Sequence, residues 1–253
     1  MKKWLSICCF SVLTLALLAG PGLMAADAKP ASLRMLIYGA SGKVGKHVVD
    51  EALGRGHLVT AVTRDPSRIT RTHPNLSVVK GNILDPENVA SLLAGQDVVI
   101  ISVRGVVGKS KDPDDTVARI GVENVVEALR TTSGSAARLI HVGGSGSLEV
   151  SPGKLYADTL PKAFMPKSLE VEIAGQISAL EFLRSVKDVD WSYATPAKNF
   201  TNGKRTGVFR IGGDQLLEDS RGRSRISRAD FAVALVDEAE NAEHPRQRFS
   251  VAY

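Results

Sequence analysis

Apolar runs of strand length alternate with amphipathic segments of helical period through most of the chain. The run at 97–103 shows no polar alternation, which is typical of a strand buried on both faces. Strands that alternate with helices in this way predict βαβ units and a parallel sheet. The predicted strands are 33–38, 58–62, 76–79, 97–103, 138–142 and 190–194.

The segments between these strands carry the start signals of helices. Pro86 stands where an amphipathic segment begins, a position that favours proline. Asp114 or Asp115 is the predicted cap of the next helix, and Ser168 is the predicted cap of the helix after it. These signals predict that helices, and not loops, connect the strands.

The pattern changes after Pro196. The segments 208–211 and 215–217 flank a Gly-Gly-Asp sequence, which predicts a β-hairpin. Ser227 begins a capping-box pattern that opens a last helix, and 248–253 forms a closing strand in this interpretation. The end of the chain is therefore expected to add short elements to the main sheet.

Length and composition support one α/β domain. The chain has 253 residues, of which 43% are hydrophobic and 23% charged, and this content suits a full core. The predicted fold is a Rossmann-like, doubly wound parallel sheet over residues 33–253, in which 197–253 contribute a small C-terminal lobe for a substrate. The net charge of +5 is spread along the chain and forms no basic block. Nucleic acid is therefore not an expected partner.

A glycine-rich turn follows the first predicted strand. Gly39, Gly42 and Gly45 lie between that strand and a helix, and a second strand follows within about 30 residues, which is the arrangement of a dinucleotide-binding βαβ unit. The first glycine permits the tight turn, and the second lets the backbone approach a pyrophosphate. The third lets the helix pack on the sheet with its N-terminal amides facing the anion. A glycine-rich turn in another kind of α/β protein is the alternative interpretation.

The residue after the second strand bears on the choice of dinucleotide. Sites for NAD usually place a carboxylate there, which binds the ribose hydroxyls. This chain has Arg64, and a guanidinium suits a 2′-phosphate, so NADP is favoured over NAD. Asp65 follows immediately and moderates that preference.

The first residues have the pattern of a secretory signal peptide. A basic start precedes an uncharged apolar run and a stretch of small residues, so 1–25 is the predicted signal peptide and 26–32 a linker. The expected location is periplasmic or secreted, as a monomer or homodimer without stable membrane association after cleavage. An uncleaved membrane anchor is one alternative. The other is a translation start at Met24, which would make the product cytoplasmic.

Cysteine chemistry and metal binding are not expected in the mature chain. Cys8 and Cys9 are the two cysteines of the sequence, and both lie in the predicted signal peptide. A product without cysteine has no disulfide, no thiolate metal site and no cysteine nucleophile. No metal ligand set is therefore predicted.

Several motifs together resemble the atypical short-chain dehydrogenase/reductase superfamily, and most of all its NADH-flavin reductase group, relatives of NmrA-like and biliverdin reductase B-like proteins. The resemblance covers essentially all of 33–253. It is carried by the sequences at 39–45, 81–85, 142–148, 212–217, 224–232 and 246–253.

This resemblance implies a set of cofactor-binding residues. Residues of the glycine turn would contact the cofactor phosphates, Arg64 the adenosine ribose, and two residues after the third strand the adenine. Residues at the end of the fourth strand would pass beside the nicotinamide ribose. The implied set is Gly39, Ser41, Gly42, Lys43, Val44, Gly45, Arg64, Ile83, Asp85, Ser102, Val103 and Arg104.

The chain departs from the superfamily at the catalytic set, which is a serine, a tyrosine and a lysine four residues after the tyrosine. Tyr156 is followed at that spacing by Leu160, so the lysine that would lower the tyrosine pKa is missing. Ser145 or Ser147 could supply the serine, or both could be plain loop serines. Tyr156 is a candidate proton donor and, alternatively, a wall of the pocket. His141 lies in an apolar strand and is interpreted as a core histidine.

The missing lysine disfavours reactions that need a strong general base, such as sugar epimerisation or alcohol oxidation. Hydride transfer to a flavin or a quinone-like molecule needs the two rings held together, and solvent can supply the proton. The expected function is therefore an NAD(P)H-dependent reductase of a small molecule, with flavin as a possible substrate. A non-catalytic dinucleotide sensor of the NmrA-like kind is the alternative, since fold does not separate the two. A nucleoside-sugar epimerase or dehydratase is a more distant one.

Overall fold

The computed structural model describes residues 32–132 and 136–253, which belong to one folded unit. The predicted signal peptide at 1–25, and all but the last residue of the predicted linker, lie outside the described residues. Within the two described ranges, no helix is long and apolar enough to cross a membrane.

Short apolar segments form the strands, mostly where the sequence pattern predicts them. Valine, isoleucine and leucine dominate these segments because branched side chains pack well on a pleated surface. The strands are β1 (Arg34–Tyr38), β2 (Leu58–Thr63), β3 (Leu76–Lys80), β4 (Val98–Ile101), β5 (Arg138–Val142), β6 (Glu149–Ser151), β7 (Lys154–Leu155), β8 (Trp191–Pro196), β9 (Asn199–Thr201), β10 (Arg210–Gly212), β11 (Arg225–Ser227) and β12 (Gln247–Ala252).

Eight of these strands form the central sheet, in the order β10-β12-β8-β5-β4-β1-β2-β3. All neighbouring pairs are parallel except β10 with β12. The chain runs outward from β1 to β2 and β3 on one side, and then returns to β4 on the other side of β1. This change of direction places a crevice at the carboxyl ends of β1 and β4, where doubly wound sheets bind ligands.

Helices cover both faces of the sheet, which confirms the predicted fold class. On one face, α1 and α5 pack over a core that includes Met35, Ile37 and Phe231. On the other face, α2, α3 and α4 pack over a core that includes Leu36 and Tyr193. The helices are α1 (Gly45–Arg55), α2 (Pro86–Leu93), α3 (Val117–Thr131), α4 (Lys167–Ser185) and α5 (Arg228–Asn241).

Two of the predicted helix caps are wrong. Thr116, and not Asp114 or Asp115, caps α3, and its hydroxyl accepts the Arg119 N–H at 3.3 Å. The two aspartates instead belong to a short 3-10 turn that precedes the helix. Ser168 lies inside α4, whose N-cap position is occupied by Pro166. The first boundary differs from the prediction by one or two residues, and at α4 no side chain caps the helix.

The predicted hairpin at 208–217 does not form. Arg210–Gly212 pairs antiparallel with β12, and Gln215 makes a separate bridge to Glu149. The predicted cap at Ser227 does form. The Ser227 hydroxyl accepts the Asp230 N–H at 2.9 Å and caps α5.

The predicted C-terminal lobe at 197–253 divides between two structures. Helix α5 packs on α1, and β12 is an inner strand of the main sheet. Outside the main layers, β9 and β11 form a two-stranded parallel sheet.

Candidate functional site

A cleft of about 380 Å³ opens at the carboxyl ends of β1, β2 and β4. It is bounded by the glycine turn, the loop after β3 and the first turn of α3. Its lining residues are Tyr38, Gly39, Ser41, Gly42, Val62, Thr63, Arg64, Asp65, Arg68, Gly81, Asn82, Ile83, Leu84, Ser102, Val103, Arg104 and Val117. Most of the cofactor-binding residues predicted from the sequence therefore line one cleft.

The glycine turn leaves no room for a side chain at its three glycine positions. Gly39 has a φ of +76°, and a Cβ there would lie 2.2 Å from the carbonyl oxygen of Ser102 at the end of β4. A Cβ at Gly45 would lie 2.1 Å from the carbonyl oxygen of Gly39, so the start of α1 rests directly on the turn. The Gly42 N–H donates to that same oxygen at 2.8 Å. Each predicted glycine is thus required by a close backbone approach.

The N-terminus of α1 suits an anion. Val44 at the N-cap position has no capping side chain, and the first turn contains no acidic residue. The first amides of a helix have no partner within the helix, and the helix dipole adds partial positive charge there. Together with the bare glycine turn, this arrangement fits a dinucleotide pyrophosphate.

Three predicted residues of the turn do not line the cleft. Lys43 is exposed, Val44 packs against the core beneath α1, and Gly45 is buried under the turn. Val44 and Gly45 therefore support the turn, whereas the Lys43 side chain faces solvent outside the cleft.

The segment after β2 places two arginines at the predicted adenosine end of the cleft. Arg64 and Arg68 both line it, and neither makes an ion pair with a residue that the structure describes. The carboxylate of Asp65 accepts the Ser67 N–H at 3.2 Å and the Ser67 hydroxyl at 2.6 Å. The Ser67 hydroxyl also holds the pKa of the Asp65 carboxyl below its usual range. The acidic residue is thus ionised and already engaged within its own turn.

The loop after β3 forms the part of the cleft where the resemblance predicts the adenine. Ile83 is buried there, and its carbonyl oxygen accepts a hydrogen bond from Asn124 of α3 at 2.9 Å. Asp85, predicted at the adenine, is absent from the lining of the cleft. Its carboxylate caps α2 by accepting the N–H groups of Glu87 and Asn88. The expectation that Asp85 lies in the site is corrected to this extent: the residue lies outside the lining of the cleft, and its Oδ1 is engaged in the cap.

The opposite end of the cleft lies at the end of β4. Ser102 and Val103 are half-buried, and the Ser102 N–H continues the pairing with β1 by donating to Tyr38 at 3.0 Å. Arg104 is exposed, and its Nε lies 2.7 Å from Oε1 of Glu172 on α4. This ion pair connects the end of β4 to α4.

Ser147 is part of a buried polar cluster. Its hydroxyl donates to the carbonyl oxygen of Gly144 at 2.9 Å and accepts from Arg248 at 3.0 Å. Arg248 also donates to Asp214 at 2.7 Å, and Asp214 is bound by Arg184 as well. The serine is 3% exposed, so its hydroxyl joins the loop to β12 and is unavailable to a substrate. The expectation that Ser147 could be catalytic is corrected on this geometry.

Ser145 and Tyr156 occupy adjoining turns. Ser145 begins a 3-10 turn after β5, Tyr156 begins another after β7, and the two turns are in contact. The Tyr156 N–H donates to the carbonyl oxygen of Leu148 at 2.7 Å, which ties the second turn to the first. Both side chains are half-buried, and their hydroxyls form no hydrogen bond with other described residues. They stay candidates for contact with a substrate.

His141 is a core residue, as the sequence indicates. It is fully buried, its Nε2 lies 3.0 Å from Oε1 of Gln176, and its ring packs 5.1 Å from that of Tyr193. Burial lowers the pKa of His141 to about 4. The imidazole is thus neutral at ordinary pH and shielded from the cleft.

The structure adds residues that the sequence analysis missed. Thr63, Arg68 and Asn82 line the cleft beside predicted residues. Arg68 had a usable signal, since the Asp-Pro-Ser sequence before it predicts a tight turn that brings positions 64 and 68 together. Within the two described ranges, no cluster of His, Cys, Asp or Glu could hold a metal ion.

A bare glycine turn at the switch point of a doubly wound sheet defines a dinucleotide-binding protein of the Rossmann type. The chain belongs to the NAD(P)H-binding family of atypical short-chain dehydrogenases/reductases. The match to this family covers residues 39–242. The residues of the cleft fit such a cofactor.

Three solved structures are similar over nearly their whole length. A Burkholderia pseudomallei protein provisionally described as exported is 34% identical, with a TM-score of 0.73 and coverage of 87% of this chain and 100% of the other. A Bacteroides thetaiotaomicron protein provisionally described as an epimerase is 32% identical, with a TM-score of 0.77 and coverage of 88% of this chain and 97% of the other. A Streptococcus pneumoniae protein provisionally described as an NADH-flavin reductase is 28% identical, with a TM-score of 0.69 and coverage of 87% of this chain and 99% of the other.

Proposed function

We propose that this protein is an NADPH-preferring reductase that transfers hydride directly to a flavin or a quinone-like small molecule. The observation that carries the proposal is the contrast between a fully built dinucleotide cleft and an incomplete acid–base set. When bound, the reduced nicotinamide supplies the hydride. The chain's own contribution is to bind the dinucleotide, to orient it and to admit a flat acceptor beside it.

The incomplete acid–base set supports a flavin or quinone over an alcohol or a sugar. Tyr156 lacks the lysine at its usual spacing, Ser147 is engaged by Arg248, and His141 is buried. A reaction on a carbonyl or hydroxyl group gains about 10²–10⁴-fold from a positioned acid or base. A flavin takes its proton from solvent and needs proximity and orientation instead.

The preference for NADPH rests on the turn after β2. Arg64 and Arg68 offer two guanidinium groups without a carboxylate partner among the described residues. Asp65, the acidic residue that could bind ribose hydroxyls, is held by Ser67. A 2′-phosphate would therefore meet two cations and a carboxylate that is turned into its own loop.

We also propose that the mature protein is exported. The leader pattern at 1–25 and the similarity to a Burkholderia protein provisionally described as exported support this location. Export would require a source of dinucleotide outside the cytoplasm, unless translation begins at Met24. Sequencing the N-terminus of the native protein in separated cell fractions tests the location. An N-terminus at Met24 in the cytoplasmic fraction contradicts it.

Mixing the purified protein with NADPH and free FMN or riboflavin tests the activity. We expect steady oxidation of NADPH that depends on both flavin and protein. Simple quinones, aldehydes and ketones in the same assay define the acceptor class. Tight NADPH binding without turnover of any acceptor would contradict the reductase and favour a sensor. Faster turnover of aldehydes or ketones than of flavins would contradict the acceptor class.

A further inference from the structure

Thr63 makes an unusual set of contacts for the last residue of a strand. It is 6% exposed and lines the cleft. Its hydroxyl oxygen lies 3.1 Å from the hydroxyl oxygen of Ser41, and 3.3 Å from both the backbone nitrogen and the backbone oxygen of Asp65. A hydroxyl has one donor and two acceptor positions. All three contacts are satisfied if Thr63 donates to the Asp65 carbonyl and accepts from the Asp65 N–H and from Ser41.

Two of these bonds fix the backbone on the far side of Arg64. Asp65 is the next residue, so its N–H and carbonyl determine the direction in which the chain leaves Arg64. On the near side, the Thr63 carbonyl accepts the Gly81 N–H at 3.0 Å, which anchors the end of β2 to the loop after β3. Since Arg64 makes no ion pair within the described ranges, its backbone is what directs the side chain toward the cleft.

The third bond reaches the glycine turn. Ser41 lies between Gly39 and Gly42, in the turn that fits the pyrophosphate. The pair of hydroxyls thus joins the phosphate-binding turn to the segment that carries Arg64. A single side chain connects the two parts of the cleft that would contact phosphate groups.

We propose that Thr63 is a positioning residue for cofactor selectivity, which holds Arg64 where a 2′-phosphate binds. This inference rests on the proposed preference for NADPH. An arginine whose backbone is already ordered loses less conformational freedom when it binds a phosphate, so affinity for that phosphate is higher. Removal of the hydroxyl therefore reduces the discrimination between NADPH and NADH while the pyrophosphate site persists.

The test is Thr63→Val, which keeps the shape of the side chain and removes its hydroxyl. Fluorescence titration gives the dissociation constants of the purified protein for NADPH and NADH. The ratio of the NADH to the NADPH constant falls by about fivefold, the effect of one hydrogen bond. Thr63→Ser retains a hydroxyl and restores the ratio. Thr63→Ala serves as the second variant if Thr63→Val does not fold.

Three further measurements separate positioning from a general structural role. Thr131→Val is the matched control, because the Thr131 hydroxyl bonds to its own helix α3 away from the cleft. Adenosine 2′,5′-bisphosphate and 5′-AMP, titrated separately, report the 2′-phosphate contact without the nicotinamide. In an Arg64→Ala background, Thr63→Val no longer changes the ratio, because Thr63 acts through Arg64.

The outcomes separate this inference from the proposed function. If the wild-type protein binds NADH as tightly as NADPH, the proposed preference is wrong and the role of Thr63 falls with it. If the wild type prefers NADPH and Thr63→Val keeps the full ratio, the preference stands and the role of Thr63 is wrong. Equal losses of affinity for both dinucleotides leave the ratio unchanged and overturn the inference as well.

Discussion

Two regions of the molecule are held together in different ways. One is the glycine turn at 39–45, the predicted phosphate end of the site, and the other is the 3-10 turn at 145–147, its predicted catalytic end. At the phosphate end, backbone atoms approach so closely that no side chain fits at Gly39 or Gly45. At the predicted catalytic end, Ser147 is joined to Arg248 of β12, and neither residue lines the cleft. The phosphate end is therefore shaped by close backbone contacts beside the cleft, whereas the polar side chains of Ser147 and Arg248 maintain the structure.

This difference teaches how polar residues near a site should be interpreted. A serine in a glycine-rich turn is a candidate catalytic group by residue type, whereas the apolar strand around His141 already predicts a core histidine. In the structure, Ser147 is bound by Arg248 and His141 by Gln176, and both are buried. Accessibility and available lone pairs, and not residue type alone, decide which polar groups can act on a substrate.

The largest expected effect is at the phosphate end. Gly39→Ala places a Cβ 2.2 Å from the Ser102 carbonyl oxygen in a backbone conformation that alanine rarely adopts. Strain of about 3 kcal/mol lowers dinucleotide affinity by about 100-fold or more, measured by titration. Gly54→Ala is the matched control in α1, because its Cβ meets nothing within 4 Å. It keeps wild-type affinity and stabilises the helix by about 0.5–1 kcal/mol. Wild-type affinity in Gly39→Ala would remove the phosphate turn from the site.

The second prediction concerns the structural role of the buried His141, and it is tested through the pH dependence of stability. The folded-state pKa of His141 is lowered from 6.5 to about 4, so the unfolded state binds the proton first as pH falls. Stability attributable to this group is present above pH 6.5 and is lost progressively as pH falls to 4. The loss amounts to about 3 kcal/mol over that window.

Urea unfolding between pH 7.5 and 4.5 measures this loss in the wild type and in His141→Gln. The variant has no titratable ring, so its free energy of unfolding falls less steeply over the same range. Carboxylates that titrate near pH 4 affect both proteins alike and cancel in the comparison. Equal slopes for the two proteins would show that His141 is not the buried neutral group described here.

The third prediction addresses the arginines of the adenosine end. Arg64→Ala weakens NADPH binding by about 1–3 kcal/mol, or about 5–150-fold, and leaves NADH binding nearly unchanged. Arg68→Ala shifts affinity in the same direction. Arg71→Ala is the matched control, since Arg71 pairs with Asp50 outside the cleft. Equal affinity of the wild type for the two dinucleotides would contradict this assignment of Arg64.

The smallest effect is expected at Tyr156. If solvent supplies the proton, Tyr156→Phe retains flavin turnover within about tenfold of the wild type, and Ser145→Ala behaves alike. Steady-state kinetics with NADPH and FMN measure it, and NADPH affinity serves as the control. A loss of about 10²–10⁴-fold at unchanged affinity would identify Tyr156 as a general acid without its usual lysine, and would undermine the preference for flavin.

The local sequence was sufficient to determine the dinucleotide-binding unit. The strand, the glycine turn, the helix and Arg64 all lie within 34–64, and their structure depends on backbone conformation and hydrophobic period, which short segments encode directly. The capping-box pattern likewise identified Ser227 as the cap of α5, and the family resemblance of the segment 81–85 indicated Ile83, which lines the cleft.

Tertiary structure decided the features whose partners are distant in sequence. Ser147 and Arg248 are 101 positions apart, and Ser41 and Thr63 are 22 apart. Pairing of β10 with β12, and not with a neighbouring segment, is likewise a long-range choice. A residue's own neighbours show its chemical type but not which lone pair is already occupied, since that depends on chain segments brought together only by folding. For this reason the glycine turn could be predicted from the sequence, whereas the contacts of Ser147, Asp85 and Thr63 became visible only in the folded structure.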